Sequence, residues 1–229
     1  MIKLKSVQQH LKSFKDIKED QLAQYEATGE VNRGSADKFV TELGETKNLS
    51  QTDEVIIKAV QKQYLQIRKK SLVVENLQGK IAAVMDYSTL KEKGDNDERI
   101  KFWNDYIVAT NDLRSFLDKG YVRGLSKEIN ASSLSSSYKK QAVSKVNSEW
   151  KAKKKNILKV RDLDVEFSEV NKKILLFLNG NPDAWLWDVD SDQVNFYEDA
   201  DIDTFNSMID RISEIADEQD KTQRAVLSE

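Results

Sequence analysis

Asn181-Pro182-Asp183-Ala184-Trp185-Leu186-Trp187-Asp188-Val189-Asp190-Ser191-Asp192-Gln193-Val194-Asn195-Phe196-Tyr197 is the stretch where the chain stops reading as helix. It holds the only proline and two of the four tryptophans. Trp185, Trp187 and Val189 alternate with Leu186 and Asp188, and Val194 and Phe196 alternate with Asn195 and Tyr197. Two alternating runs rich in Trp, Val, Phe and Tyr around a short polar turn, Asp190-Ser191-Asp192, predict a β-hairpin over 181–200. An isolated two-stranded hairpin is marginal in water. One face must therefore lie on the rest of the protein, with Trp185, Trp187 or Phe196 as anchors. An exposed remainder of Trp185, Trp187, Phe196 and Tyr197 is the candidate partner surface.

Upstream of this stretch the pattern is helical. From Leu134 to Leu178, apolar residues recur as Tyr138, Ala142, Val146, Trp150, Ile157, Val160, Phe167, Ile174 and Leu178, spacings compatible with one helix face. Asn179-Gly180-Asn181-Pro182 then reads as a helix stop, with glycine or asparagine in a left-handed conformation ahead of the proline. Downstream, a helix opening near Asp201 carries Ile202, Phe205, Ile209, Ile212 and Ala216 on one predicted inner face. Residues 219–229 are expected to fray.

Further back, Ser50 or Thr52 is the expected N-cap of a long helix, since a hydroxyl there accepts from an unpaired first-turn N–H. Ile56, Val60, Tyr64, Ile67, Val74, Ile81 and Met85 form its seam, with Ser71 and Gln78 as polar interruptions. That alternating spacing is typical of long antiparallel bundles. Gly79 marks a close approach or a bend. Lys93-Gly94-Asp95-Asn96 is a turn signal. Asp97 opens a helix with Ile100, Trp103, Ile107, Leu113, Phe116 and Leu117 facing inward, weakened by Gly120 and Gly124, with a turn at Asn130-Ala131-Ser132-Ser133. Nearer the N-terminus, Leu4, Val7, Leu11, Phe14, Ile17, Leu22 and Tyr25 mark a helix, broken at Gly29 and Gly34. Ser35 or Asp37 is the expected cap of a short helix ending at Gly44. The expected architecture is mainly α, an elongated antiparallel helical bundle with a small β-hairpin near the C-terminus. It is read as a single helical domain over 1–229. Its parts are mobile or peripheral N-terminal helices over 1–48, a long-helix bundle over 49–180, the hairpin over 181–200 and a closing helix over 201–218.

Composition agrees with this reading and removes several chemistries. In 229 residues, 39% are hydrophobic, 33% charged, eight are glycine and one is proline. Long helices expose much polar face, and the periodic apolar positions argue against a disordered chain. There is no cysteine, hence no disulfide framework, thiol nucleophile or zinc–thiolate site. His10 is the only histidine, so a multi-histidine metal site is excluded and a Ser-His-Asp triad would have to use it. No phosphate-binding glycine loop, G-x-S-x-G or H-E-x-x-H occurs. Asp188-Val189-Asp190-Ser191-Asp192 through Asp199 has the opening of a calcium loop. However, Gln193 stands where that loop needs glycine, and Asn195 where it needs an aliphatic residue. No catalytic, cofactor-binding or metal-ligating residues are assigned, and no cofactor is expected.

Charge is segregated within a net charge of −3. Lys139–Arg161 contains nine basic residues and one acidic one, whereas 183–220 contains thirteen acidic residues and Arg211. Lys151, Lys153, Lys154 and Lys155 form the candidate basic face. Nucleic acid is disfavoured as its partner by the chain's acidic pI of about 5.5 and the lack of a nucleic-acid motif. No apolar run reaches the ~18 residues of a membrane span, and residues 1–20 lack a signal-peptide core.

Leu49-Ser50-Gln51-Thr52 leading to Tyr64, and Val194-Asn195-Phe196 followed by Phe205-Asn206-Ser207-Met208-Ile209, carry a resemblance. Over its last three quarters the chain resembles an uncharacterised family of bacterial envelope lipoproteins, with a helical bundle, a late hairpin and a closing helix. The resemblance implies a periplasmic, lipid-anchored helical protein, and no reaction. Here an anchor would require a signal and a lipidated cysteine that had been removed. The function expected is that of a non-enzymatic binding or structural protein, plausibly of a bacterial envelope, with another protein as its partner. The alternative is a cytoplasmic adaptor or chaperone-like protein binding an acidic partner or nucleic acid through the basic face.

Overall fold

A computed structural model describes residues 19–28, 34, 37–38, 40–41, 50–86, 96–188, 190–191 and 193–228. Residues 3–18 of the expected helix over 3–27, His10, Gly29, Ser35, the short-helix end at Gly44 and the turn at 93–95 lie outside these residues. Residues 19–28 are helical.

The elements are α1 (Gln51–Gln78), α2 (Ile81–Met85), α3 (Asn96–Ser115), a π-helical turn (Phe116–Gly120), α4 (Tyr121–Ala131), α5 (Ser136–Gly180), β1 (Trp185–Asp188), β2 (Gln193–Phe196) and α6 (Asp199–Ser228). The protein is therefore mainly α with one hairpin near the C-terminus. Ser50 is the cap of α1: its Oγ accepts from the Asp53 N–H at 3.2 Å and donates to the Asp53 carboxylate. Gly79 ends α1 instead of bending it, since Gly79 and Lys80 form a turn before α2 begins. The segment after Leu117 continues as helix through the π turn into α4, despite its glycines. α5 ends at Gly180, which is itself helical. Pro182, with no N–H to give, stands in the turn beyond. α6 runs on to Ser228, past the expected fraying point. Arg224 explains part of that extension, because its guanidinium lies 5.6 Å over the Tyr25 ring and 3.8 Å from the Glu26 carboxylate.

The residues group into two compact units, 1–69 with 115–158 and 222–229, and 70–114 with 159–221. In the first, α1 and α4 run antiparallel: Gln51 bonds Ser133, and Lys62 bonds Glu128. Ala59, Leu125, Ile129 and Ala142 form the core, with Ile56, Val60, Tyr121, Val143 and Val146 packed against it. Tyr138, expected inside, is exposed.

In the second unit, α3 and α5 run antiparallel, as Asn96–Asn179, Asn104–Lys172 and Arg114–Asp162 contacts show. α5 and α6 do the same through Lys159–Glu218 and Arg211–Glu166. Leu163, Val170, Ile174, Leu178, Trp185 and Ile215 are the buried centre. The inner face of α6 is Phe205, Met208, Ile212 and Ile215. Ile202 and Ile209, expected inside, are 37% and 36% exposed, and Ala216 is exposed too. The hairpin selects this rotation, because Phe196 stands 5.2 Å from Phe205 and 5.7 Å from Phe177, ring centre to ring centre.

The hairpin register pairs Trp185 with Phe196, Leu186 with Asn195, Trp187 with Val194 and Asp188 with Gln193. Trp185, Trp187, Val194 and Phe196 thus share the face turned to the core.

Candidate functional site

Two grooves bring sequence-predicted residues together. The first lies in the first unit, where the π turn faces α5. A π turn closes its hydrogen bond over five residues, here from the Tyr121 N–H to the Phe116 carbonyl. Such a turn widens the backbone and frequently sits at functional sites. Carbonyls in this one accept from the neighbouring helix. The Trp150 indole N–H donates to the Leu117 carbonyl at 3.1 Å. The Lys154 ammonium donates to the Asp118 carboxylate at 2.7 Å and to its carbonyl at 3.3 Å. Tyr121 packs on Trp150 with ring centres 4.6 Å apart. Burial, and secondarily the Glu149 charge, pushes the Tyr121 phenol above its ordinary pKa.

Asp118, Lys119, Val122 and Arg123 on one side, and Asn147, Trp150, Lys151 and Lys154 on the other, line an open groove of about 500 Å³. Lys154 is the cation paired to Asp118. Lys119, Arg123 and Lys151 are exposed and make no ion pair among the described residues. The groove therefore presents three cations that have no ion pair among the described residues, beside a fixed indole edge. Of the basic face read from sequence, Lys151 and Lys154 line this groove, whereas Lys153 and Lys155 are exposed elsewhere on α5. Lys119 and Arg123 were missed. They stand four apart, but only the antiparallel pairing with α5 reveals that they face its lysines.

The second groove belongs to the hairpin. Trp185 is 8% exposed and its indole N–H donates to the Leu178 carbonyl at 2.9 Å. Trp187 and Phe196 are half-buried on the same core. Tyr197 lies one residue past β2 and is 64% exposed. Its N–H donates to the Ala184 carbonyl at 3.1 Å, extending the ladder by one bond. Trp187, Val194, Phe196, Ile202, Phe205 and Ile209 line an open groove of about 600 Å³, together with Gln193, Asn195 and Asn206. In the turn, the Asp188 carboxylate accepts from the N–H groups of Asp190 and Ser191 and from Asn195. Those donors, the Ser191 hydroxyl foremost, hold its pKa below the usual carboxylate range. Among the described residues no three histidine or acidic side chains converge as a metal site would require, and no helix is long and apolar enough to cross a membrane.

Comparison with known proteins returned no matching family, no matching curated protein and no matching solved structure.

Proposed function

We propose that the protein is a non-enzymatic binding protein that takes an acidic protein partner on the groove between the π turn and α5. The carrying observation is the pairing pattern in that groove: Lys154 is tied to Asp118, while Lys119, Arg123 and Lys151 around it have no ion pair among the described residues. The tied lysine and the hydrogen-bonded indole fix the groove's walls, so little further order is lost on binding. The free cations supply steering and charge complementarity toward carboxylates. A nucleic-acid backbone is the less suitable ligand, because its affinity grows with the number of phosphates neutralised and this groove offers few free cations.

The test is fluorescence anisotropy with a polyglutamate peptide and, separately, an oligothymidine strand, at low and physiological salt. The expected result is salt-sensitive polyglutamate binding that is about tenfold weaker in Arg123→Ala/Lys151→Ala, roughly 0.7 kcal/mol per cation. Both side chains are exposed, so the fold should persist. Polyglutamate that fails to bind at low salt, or binds the double variant equally well, would overturn the reading. Tighter binding of the oligonucleotide would replace it with a nucleic-acid function.

A further inference from the structure

We infer that the groove between the hairpin and α6 is the docking surface for a basic amphipathic helix of a partner protein. This surface is chemically the opposite of the α5 groove, and the inference does not depend on that one. Its floor is apolar: Trp187, Val194 and Phe196 come from the strands, and Ile202, Phe205 and Ile209 from α6. Ile202 and Ile209 stand seven residues apart, two turns along one helix edge, roughly 10 Å. Helical periodicity would bury them, yet both remain more than a third exposed.

The helix that supplies the two isoleucines is acidic beside them, with Asp203 following Ile202 and Asp210 following Ile209. Glu198, Asp199, Asp203 and Asp210 are exposed and make no ion pair among the described residues. Arg211, the single cation between 183 and 220, is held by Glu166 and Glu214. Covering the floor with an acidic or neutral segment would bury these carboxylates' surroundings without a counter-charge, which is costly. A helix with leucines along one face and lysines or arginines along its flanks satisfies both demands. Its apolar face fills the trough as in other helix-in-groove complexes, and its cations meet the rim. Gln193, Asn195 and Asn206 also line the groove and offer hydrogen-bond partners for the helix's own polar side chains.

The test uses the full chain and a labelled Leu/Lys amphipathic peptide, with a Leu/Glu peptide of the same pattern as control. The Leu/Lys peptide should bind and the Leu/Glu peptide should not. Ile202→Asp/Ile209→Asp, which changes exposed positions, should weaken binding at least about tenfold. Binding that survives this double variant is charge attraction alone and overturns the inference, as does failure of the Leu/Lys peptide to bind. A paramagnetic label on the peptide provides an arm that needs no variant. It should broaden the methyl signals of Ile202 and Ile209 in the unaltered protein, and broadening confined to other sites overturns the assignment. Sedimentation of the protein without peptide closes the remaining alternative. Self-association abolished by the same double variant would assign the groove to a second copy of this chain instead.

Discussion

Gly124 leaves room for Gln63: a Cβ built at Gly124 would stand 2.0 Å from the Gln63 Oε1 atom and 2.4 Å from its Cδ. Gln63 is buried, so its amide has little space to swing aside. In an exposed helix, replacing glycine with alanine gains about 1 kcal/mol. Here overpacking of about 1–3 kcal/mol opposes that gain. Gly124→Ala should therefore destabilise the protein or leave it unchanged. In a Gln63→Ala background the same substitution should stabilise by about 1 kcal/mol. Urea midpoints of the four proteins in this cycle measure the coupling, and additive effects would show that the close approach has no energetic role.

Trp185 ties the hairpin to the end of α5 through its bond to the Leu178 carbonyl. Trp185→Phe retains most of the apolar burial but strands that buried acceptor, at an expected cost of about 1–3 kcal/mol. Trp185→Ala also opens a cavity and should cost about 3–5 kcal/mol. Equilibrium denaturation should show the two losses in that order. Amide exchange should report faster opening of residues 184–197 first.

Arg161 and Asp164 form an ion pair inside the second unit, with side chains 13% and 7% exposed and a separation of 3.0 Å. Asp164 also accepts from Gln219 on α6 at 2.8 Å. Removing one member leaves the other charge buried, so Asp164→Ala should lose about 3–5 kcal/mol. Replacing both, as Arg161→Met/Asp164→Leu, should recover most of that loss. Thermal melts of the single and double variants decide it.

Two groups set opposite pH limits. Burial, then the Asp164 charge, pushes the Tyr106 phenol above its ordinary pKa. Its contribution is intact below about pH 10, the unfolded value, and is lost as pH rises beyond it. The alkaline decline should be shallower in Tyr106→Phe. Asp188 is held below the usual carboxylate range by its turn donors. Its contribution is present above about pH 4 and disappears as pH falls through the depressed value. The stability gap between the protein and Asp188→Ala should therefore close in acid. Denaturant midpoints measured across pH give both slopes.

The hairpin and its inward set are legible in the sequence, because a two-residue period puts Trp185 and Trp187 on one face of the first strand and Val194 and Phe196 on one face of the second. The rotation of α6 is not. Ile202, Phe205, Ile209, Ile212 and Ala216 form one helical stripe, and Phe205, Met208, Ile212 and Ile215 form another that overlaps it. Either could face inward until Phe196 docks on Phe205. Burial of Gln63, Asp164 and Asn171 is equally hidden, since polarity argues for the surface; Asp164 meets Gln219 on α6, whereas Asn171 donates to the Phe167 carbonyl of its own helix. The basic face was visible as composition, but the groove was not. Lys119, within the π turn, and Arg123, in α4, become its second wall only through the packing of the π turn and α4 against α5.

That π turn contains a spare residue. An α-helix advances by about 100° per residue, so deleting one residue from an ordinary stretch of α3 or α4 would swing everything beyond it off its face. Phe116–Gly120 spans its loop with one residue more than an α turn uses. A single deletion there can be absorbed by tightening the loop, leaving Leu113 and Leu125 on the faces they already occupy. What would be lost is the outward set of the carbonyls that Trp150 and Lys154 reach. The segment thus separates two properties that are fused elsewhere in the chain, the phase of the helix and the shape of the surface it presents.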